Sequence, residues 1–408
     1  MTALRASVVI VSRGRPDALC LCLAGIARLR NVEYEVIVVA DPVGLAAART
    51  LPFASDLKLV EFDRANISEA RNLGIAQAAG DVVAFIDDDA VPEPRWLAHL
   101  IRPFDDARVA AASGFVRGRN GISFQWKART VDTTGRAYPA DVDPLAVTLL
   151  HPPEGRAVKT EGTNMAVRRE VLAEIGGFDP AFRFYLDETD LNMRLARGGY
   201  ATAIVPLAQV HHAYAPSARR NAERAVTDLH EIGASTSVYL RNHHPHPDAW
   251  PALVASIRAE QRQRLIAQMI DGRLEPRDVR QNLRRFDAGI AEGRHRPPMP
   301  VDRIVPSPSD FRFFPSLATG PTEILAGRLW SGARLRCEAS QRAENGATVS
   351  LYVFSHTGLF HSVRFLPEGV WLQRGGLWGR SDRTDPLWRW WRFESRLKHE
   401  IARTTGVR

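Results

Sequence analysis

The chain is 408 residues long, 45% apolar and 25% charged, enough to bury cores in two or three domains and too apolar to be disordered throughout. Its net charge of +8 suits a phosphate-bearing partner, but 50 of the 54 basic residues are Arg scattered along the whole length. A nucleic-acid partner, which needs a focused basic stripe, is therefore not expected.

The N-terminus has only a four-residue apolar run before charge returns, and no stretch reaches the roughly 18 to 20 apolar residues that span a bilayer. A cytoplasmic location is expected, with peripheral attachment at the inner face of the membrane left open. Cys20, Cys22 and Cys337 cannot build a disulfide framework, and the first two alternate along an apolar segment as core thiols do.

In chain order, residues 7–11 form a β-branched run that breaks at Ser12-Arg13-Gly14-Arg15-Pro16, and residues 17–30 carry apolar positions at helical spacing. Residues 35–41 and 57–63 are further strand candidates, and "GDVVAFIDDD" at 80–89 holds a fourth. Strands without polar alternation, separated by helical segments, predict an α/β fold with a mostly parallel sheet covered on both faces. Before the fourth strand, Asn66 and Glu69 form a capping pair, and Gly80 stands where a left-handed terminating residue is favoured. Ile67, Ala70 and Gly74 share a face small enough to approach the sheet.

Residues 115–158, with Trp126, Arg129, Tyr138 and a Pro-Pro pair, read as sheet edge and long loops. A strand and helix follow over 162–179, ended by Gly176-Gly177, then a capped helix from Asp187 with Asp190 reaching back to its start, then a strand through His211-His212. Helical segments over 219–240 and 253–269 precede a proline-rich stretch. Alternating aromatic and polar residues in the last 90 positions predict short antiparallel strands and a helix ending near Arg403. The expected organisation is a catalytic domain over 1–215, a helical extension over 216–290, a linker or strap over 291–320, and a β-rich region over 321–408.

Asp87, Asp88 and Asp89 follow a buried strand, at the carboxyl end where open parallel sheets bind ligands. A turn there would let Asp87 and Asp89 converge on a hard cation that also holds phosphate oxygens; a solvated turn would explain them equally. Glu188, on the first turn of its helix, has no capping role and could accept a proton from a hydroxyl. His211 and His212 could be metal ligands, diphosphate contacts or half-buried core residues.

These segments resemble the inverting family 2 glycosyltransferases of the GT-A fold, over roughly residues 5–215. "VVIVSRGRPDAL" is similar to the family's first strand and turn, "EVIVVADPVG" to its second strand, and "ISEARNLGIAQAAGDVVAFIDDDAVPEPRWL" to its Arg-Asn helix and Asp-x-Asp motif. "EGTNMAVRREVLAEIGGFDPAF" resembles the acceptor-side segment, and "LDETDLNMRLARGGY" the Glu-Asp-x-Asp-Leu segment with its first two acids reversed. The resemblance implies Ser12, Arg13, Asp41, Asp63, Arg71, Asp87 and Asp88 on the donor side. It also implies Asp89, Asp87 and His211 at an Mg²⁺ or Mn²⁺ ion, and Trp126, Thr163 and Asn164 on the acceptor side.

By position Glu188 is the base, while side-chain identity selects Asp187. The implied partners are a UDP-, dTDP- or GDP-sugar and a glycan, glycolipid or small-molecule acceptor, with a homo-oligomer through the C-terminal region left open. A sugar-phosphate nucleotidyltransferase would share the sheet and the metal logic, and a nonenzymatic carbohydrate-binding or scaffolding descendant would lack nucleotide and metal binding.

Overall fold

A computed structural model describes residues 4–212, 225–297, 303–305 and 309–408. Its strands are β1 Arg5–Ser12, β2 Glu33–Ala40, β3 Leu57–Glu61, β4 Val82–Asp87, β5 Ala90–Pro92, β6 Val109–Arg117, β7 Phe124–Trp126, β8 Arg129–Asp132, β9 Ala137–Pro139, β10 Thr148–Leu150, β11 Arg156–Val158, β12 Met165–Arg168 and β13 Ala201–His212. The helices among them are α1 Pro16–Ile26, α2 Pro42–Arg49, α3 Ile67–Gln77, α4 Trp96–Ile101, α5 Arg169–Ile175 and α6 Asp187–Arg197. Beyond them come α7 His230–His243, α8 Trp250–Ile270, α9 Pro276–His295, then β14 Thr322–Arg328, α10 Gly332–Glu344, β15 Thr348–Ser355, β16 Ser362–Phe365, β17 Val370–Gly376 and α11 Phe393–Ala402.

The main sheet runs β10-β13-β6-β12-β4-β1-β2-β3. Strands β4, β1, β2 and β3 are mutually parallel, as are β6 and β13, while β12 enters antiparallel between β4 and β6. The α/β expectation is met. Period-two alternation divides each central strand between two cores. Val8 and Ile10 of β1 and Ala84 and Ile86 of β4 face α1, α2 and α4, whereas Val9, Val83 and Phe85 face α3, α5 and α6. Chain order reverses between β1 and β4, and ligand crevices open at the carboxyl ends beside such a switch.

The α3 crossover forms as its caps predict. Asn66 accepts from the Glu69 amide at 3.2 Å and donates to the Glu69 carboxylate at 2.8 Å. Gly74 lies against β1, where a Cβ would stand 2.4 Å from Val9 Cγ1. Gly80 is not the left-handed terminator expected, since its φ is not positive. It is required by close approach, because a Cβ there would lie 2.8 Å from the β1 backbone at three atoms. Left-handed termination occurs instead at Gly176 after α5, with φ 77°.

Of the helix expected over 219–240, residues 219–224 lie outside the described residues, 225–229 are not helical, and the helix α7 starts only at His230 and packs with α8 and α9 around Leu265 and Phe286. Part of the proline-rich stretch also lies outside them. From Ser309 the chain runs along the β2–β3 edge, where Phe314 stacks on Tyr34 at 5.4 Å.

The C-terminal strands form a separate sheet, β14-β15-β17-β16. Its three longer strands are parallel and only β16 is antiparallel, in place of the antiparallel strands expected, and α10 makes the crossover that parallel pairing needs. This domain is locked to the main sheet. Arg408 donates to both oxygens of Glu93, at 2.8 and 3.0 Å, and lies over Trp371, which also contacts the His211 ring at 4.7 Å. Among the described residues, no helix is long and apolar enough to cross a membrane.

Candidate active site

The acidic run is divided by a turn. β4 ends at Asp87, residues 88 and 89 turn, and β5 then pairs antiparallel with the end of β13, Ala90 opposite His212 and Val91 opposite His211. This register carries His212 to the turn. One ligand atom each from Asp87, Asp89 and His212 lie within 4.8 Å of one another, and His212 Nε2 is 3.2 Å from Asp89 Oδ1. His212 Nδ1 faces Gln125 Oε1 at 3.2 Å, the outer contact that fixes a ligating imidazole. Two hard carboxylates and an imidazole fit Mg²⁺ or Mn²⁺ chemistrywise, the imidazole tilting the set toward Mn²⁺.

Burial pushes Asp87 above the ordinary carboxylate range, partly offset by Arg71 and His212. His212 is held above its ordinary value: burial acts to lower it, and Asp89 overcomes that.

His211 is not part of this cluster. Successive strand residues project to opposite faces, so it points the other way, with Nε2 on Glu93 at 2.8 Å. Asp88 is likewise turned inward and fully buried, accepting from Ser12 Oγ at 2.7 Å and pairing with Arg15 at 2.6 Å. Burial pushes Asp88 up to about 7, against the pull of Arg15. Ser12 and Asp88 therefore brace the turn from behind instead of presenting groups to a donor.

Asp41 is also occupied by backbone, capping α2 through Gly44 at 3.0 Å and holding the Gly14 amide at 2.9 Å. Arg13 and Asp63 meet at 2.8 Å across the ends of β1 and β3, both half-exposed.

Across from the cluster stands the start of α6. Tyr185 and Leu186 precede it with φ of 72° and 64°, a left-handed pair unusual for non-glycine residues and typical of constrained functional turns. The helix begins one residue earlier than a capping Asp187 would allow, with Leu186 at the N-cap. Asp190 does not reach back; it pairs with His243 and Arg194, each at 2.8 Å.

Arg71 of α3 joins the two acidic groups. It is ion-paired with Asp187, 3.5 Å from Asp87, and stacked over Phe178. Gly162 makes room for it, since a Cβ there would sit 2.2 Å from its guanidinium. Glu188 pairs instead with Lys159 at 3.1 Å, and Lys159 also donates to Thr189 at 2.9 Å. Burial pushes Asp187 up to about 8, with Arg71 opposing and the Glu188 charge adding. Burial acts on Glu188 too, but Lys159 and Arg71 outweigh it and hold it at about 2. Of this coupled pair, Glu188 ionises first and is the more exposed, 18% against 4%.

On the remaining wall, Trp126 of β7 lies 5.7 Å from the His212 ring. Thr163 is buried, its Oγ1 without a hydrogen-bond partner among the described residues. Asn164 is no acceptor contact. Fully buried, it accepts from Trp96 Nε1 at 2.7 Å and donates to the Phe115 and Ala208 carbonyls at 3.0 and 2.9 Å, which uses its side chain to tie β6, β13 and α4 together. Sequence reasoning named His212 beside His211 but placed only His211 at the metal, and it missed Gln125, Arg15 and Lys159. Only Lys159 left a signal, as one of four lysines in the chain.

Residues 7–176 match the family described as glycosyl transferase family 2. Over 243 residues the chain is 27% identical to the uncharacterized glycosyltransferase YwdF of Bacillus subtilis, covering 58% of this chain and 82% of that protein. A 95-residue stretch is 32% identical to the N-acetylglucosaminyl-diphospho-decaprenol L-rhamnosyltransferase of Mycobacterium tuberculosis, covering 23% of this chain and 30% of that one. Among solved structures, the mannosyltransferase PcManGT from Pyrobaculum calidifontis, in complex with GDP-Man and Mn²⁺, is similar with a TM-score of 0.41 and 16% identity, over 72% of this chain and 88% of that one.

Proposed function

We propose, from the match of residues 7–176 to glycosyl transferase family 2, that the protein transfers a sugar from a nucleoside-diphosphate-sugar to an acceptor hydroxyl, by one displacement with inversion, in the assembly of a cell-surface glycan or glycoconjugate. The observation that carries this reading is the placement of Glu188 and Asp187 opposite the Asp87, Asp89 and His212 cluster, with Arg71 between them.

Asp87, Asp89 and His212 would hold Mg²⁺ or Mn²⁺, which when bound supplies Lewis-acid stabilisation of the departing diphosphate. Glu188 is the base: ionised at neutral pH and the more exposed of its pair, it takes the acceptor proton as the oxygen attacks the anomeric carbon. The glycosidic carbon–oxygen bond breaks on the opposite face, and its electron pair leaves with the nucleoside diphosphate. Asp187, locked to Arg71, positions that arginine between the two halves of the site. Trp126, beside His212, would stack on the acceptor ring.

The test is proton NMR of UDP-, dTDP- and GDP-sugars incubated with the protein and Mn²⁺, following slow transfer to water. Release of a sugar of inverted anomeric configuration is the expected result. Retained configuration overturns the single displacement, and persistence of every donor, with no loss in any sample, counts against transfer itself.

A further inference from the structure

The C-terminal domain presents one continuous aromatic surface to solvent. The loop after β15 carries Leu359 and Phe360, 64% and 62% exposed, and the segment after β17 carries Leu387, Trp388 and Trp390, at 69%, 52% and 67%. Trp378 joins the two loops, stacked on Trp390 with centroids 4.9 Å apart and planes within 12°. His356 extends the surface to Trp330, lying 6.1 Å from Trp378 and 6.1 Å from Trp330. Backbone bonds from Trp378 to Thr357 and from Arg389 to Trp378 hold the loops together, so these rings are displayed on a built scaffold. Single exposed apolar residues need no explanation, but a contiguous patch marks an interaction surface.

Its charge identifies the partner. Between residues 377 and 392 there are four Arg and two Asp. Both acids are engaged internally: Asp385 accepts the Ser381 and Asp382 amides, and Asp382 accepts from Thr384 and pairs with Arg403. Arg383, Arg389 and Arg392 remain exposed beside the rings.

We propose that this surface docks on an anionic lipid bilayer, with Trp388 and Trp390 at headgroup depth, Leu359, Phe360 and Leu387 in the acyl boundary, and the arginines on lipid phosphates. A second copy of the chain would set these arginines against one another, and a neutral glycan would leave their charge without a counter-charge. The same domain touches the β6–β7 turn, through Val363 to Asn120 at 2.8 Å and Arg383 to Ser123 at 3.1 Å, and β7 carries Trp126. Docking would therefore hold the candidate active site near the headgroup layer.

The experiment is vesicle flotation of the full chain without donor, which separates this proposal from the transferase reading. Vesicles are phosphatidylcholine alone or mixed with phosphatidylglycerol. The protein should float with the mixed vesicles and not with phosphatidylcholine, Arg389→Gln should lower the partition constant about fivefold, and Trp388→Ala/Trp390→Ala should abolish flotation. These residues are exposed, and near-ultraviolet circular dichroism checks the fold. No flotation of the unaltered chain on mixed vesicles overturns the proposal, as does equal flotation of the tryptophan variant. A lipid-free dimer in light scattering that the tryptophan changes dissolve would assign the surface to a second copy instead.

Discussion

Residues 5–212 and residues 322–408 both bury carboxylates beside arginines, yet arrange them differently. In the C-terminal domain Glu400, Arg396, Gln373 and His361 lie within 2.7–2.9 Å of one another and are fully enclosed, and what faces outward there is aromatic. In the first region Asp87, Asp89, His212 and Glu188 stand at strand and helix ends, with Arg71 between the two acidic groups and Lys159 paired with Glu188. Similar side chains close a core in one place and leave coordinating and proton-accepting capacity at an opening in the other.

Five substitutions test this contrast. Glu188→Gln should lower kcat by roughly 10²–10⁴-fold with donor affinity retained, since it removes only proton acceptance; steady-state and binding measurements together would show it. Arg71→Met and Arg396→Met each remove the arginine nearest a buried carboxylate and should cost up to roughly 3–5 kcal/mol of stability in denaturant unfolding, less for Arg396→Met because Gln373 and Arg403 remain beside Glu400. If Arg396→Met unfolds like the unaltered protein, the C-terminal network does not hold that core.

Lys159→Met should act on pH. Lys159 depresses Glu188, so its removal raises that carboxyl, and the acidic limb of kcat/KM should move to higher pH by at least about one unit. An unmoved limb would separate Glu188 from the proton transfer. Smallest of all, Trp330→Ala, on the exposed surface, should change stability by no more than about 0.5 kcal/mol.

The first region was legible because its signals are local. Uninterrupted β-branched runs give β1, β2 and β4, the Asn66–Glu69 spacing gives the start of α3, and three acids after a buried strand point to its carboxyl end. What escaped depends on pairing between distant segments. Whether His211 or His212 meets the acids is set by the β5–β13 register, and adjacent histidines look alike in a linear chain. Asn164 read as a polar group at a strand end, but α4 and β13 close over it. Gly80 read as a helix terminator because its role, contact with β1 backbone, involves residues more than seventy positions away. In the C-terminal domain, alternation is the same for parallel and antiparallel strands, so the pairing of β14, β15 and β17 could not be seen.

The most direct test of the central claim is calorimetric titration of UDP, dTDP and GDP, each with and without Mn²⁺, into the unaltered protein and into Asp89→Asn, His212→Gln and His211→Gln. One nucleotide should bind only with Mn²⁺, Asp89→Asn and His212→Gln should lose this binding, and His211→Gln should keep it. Absence of any nucleotide binding by folded protein, or Mn²⁺-dependent binding that survives Asp89→Asn, would contradict that claim.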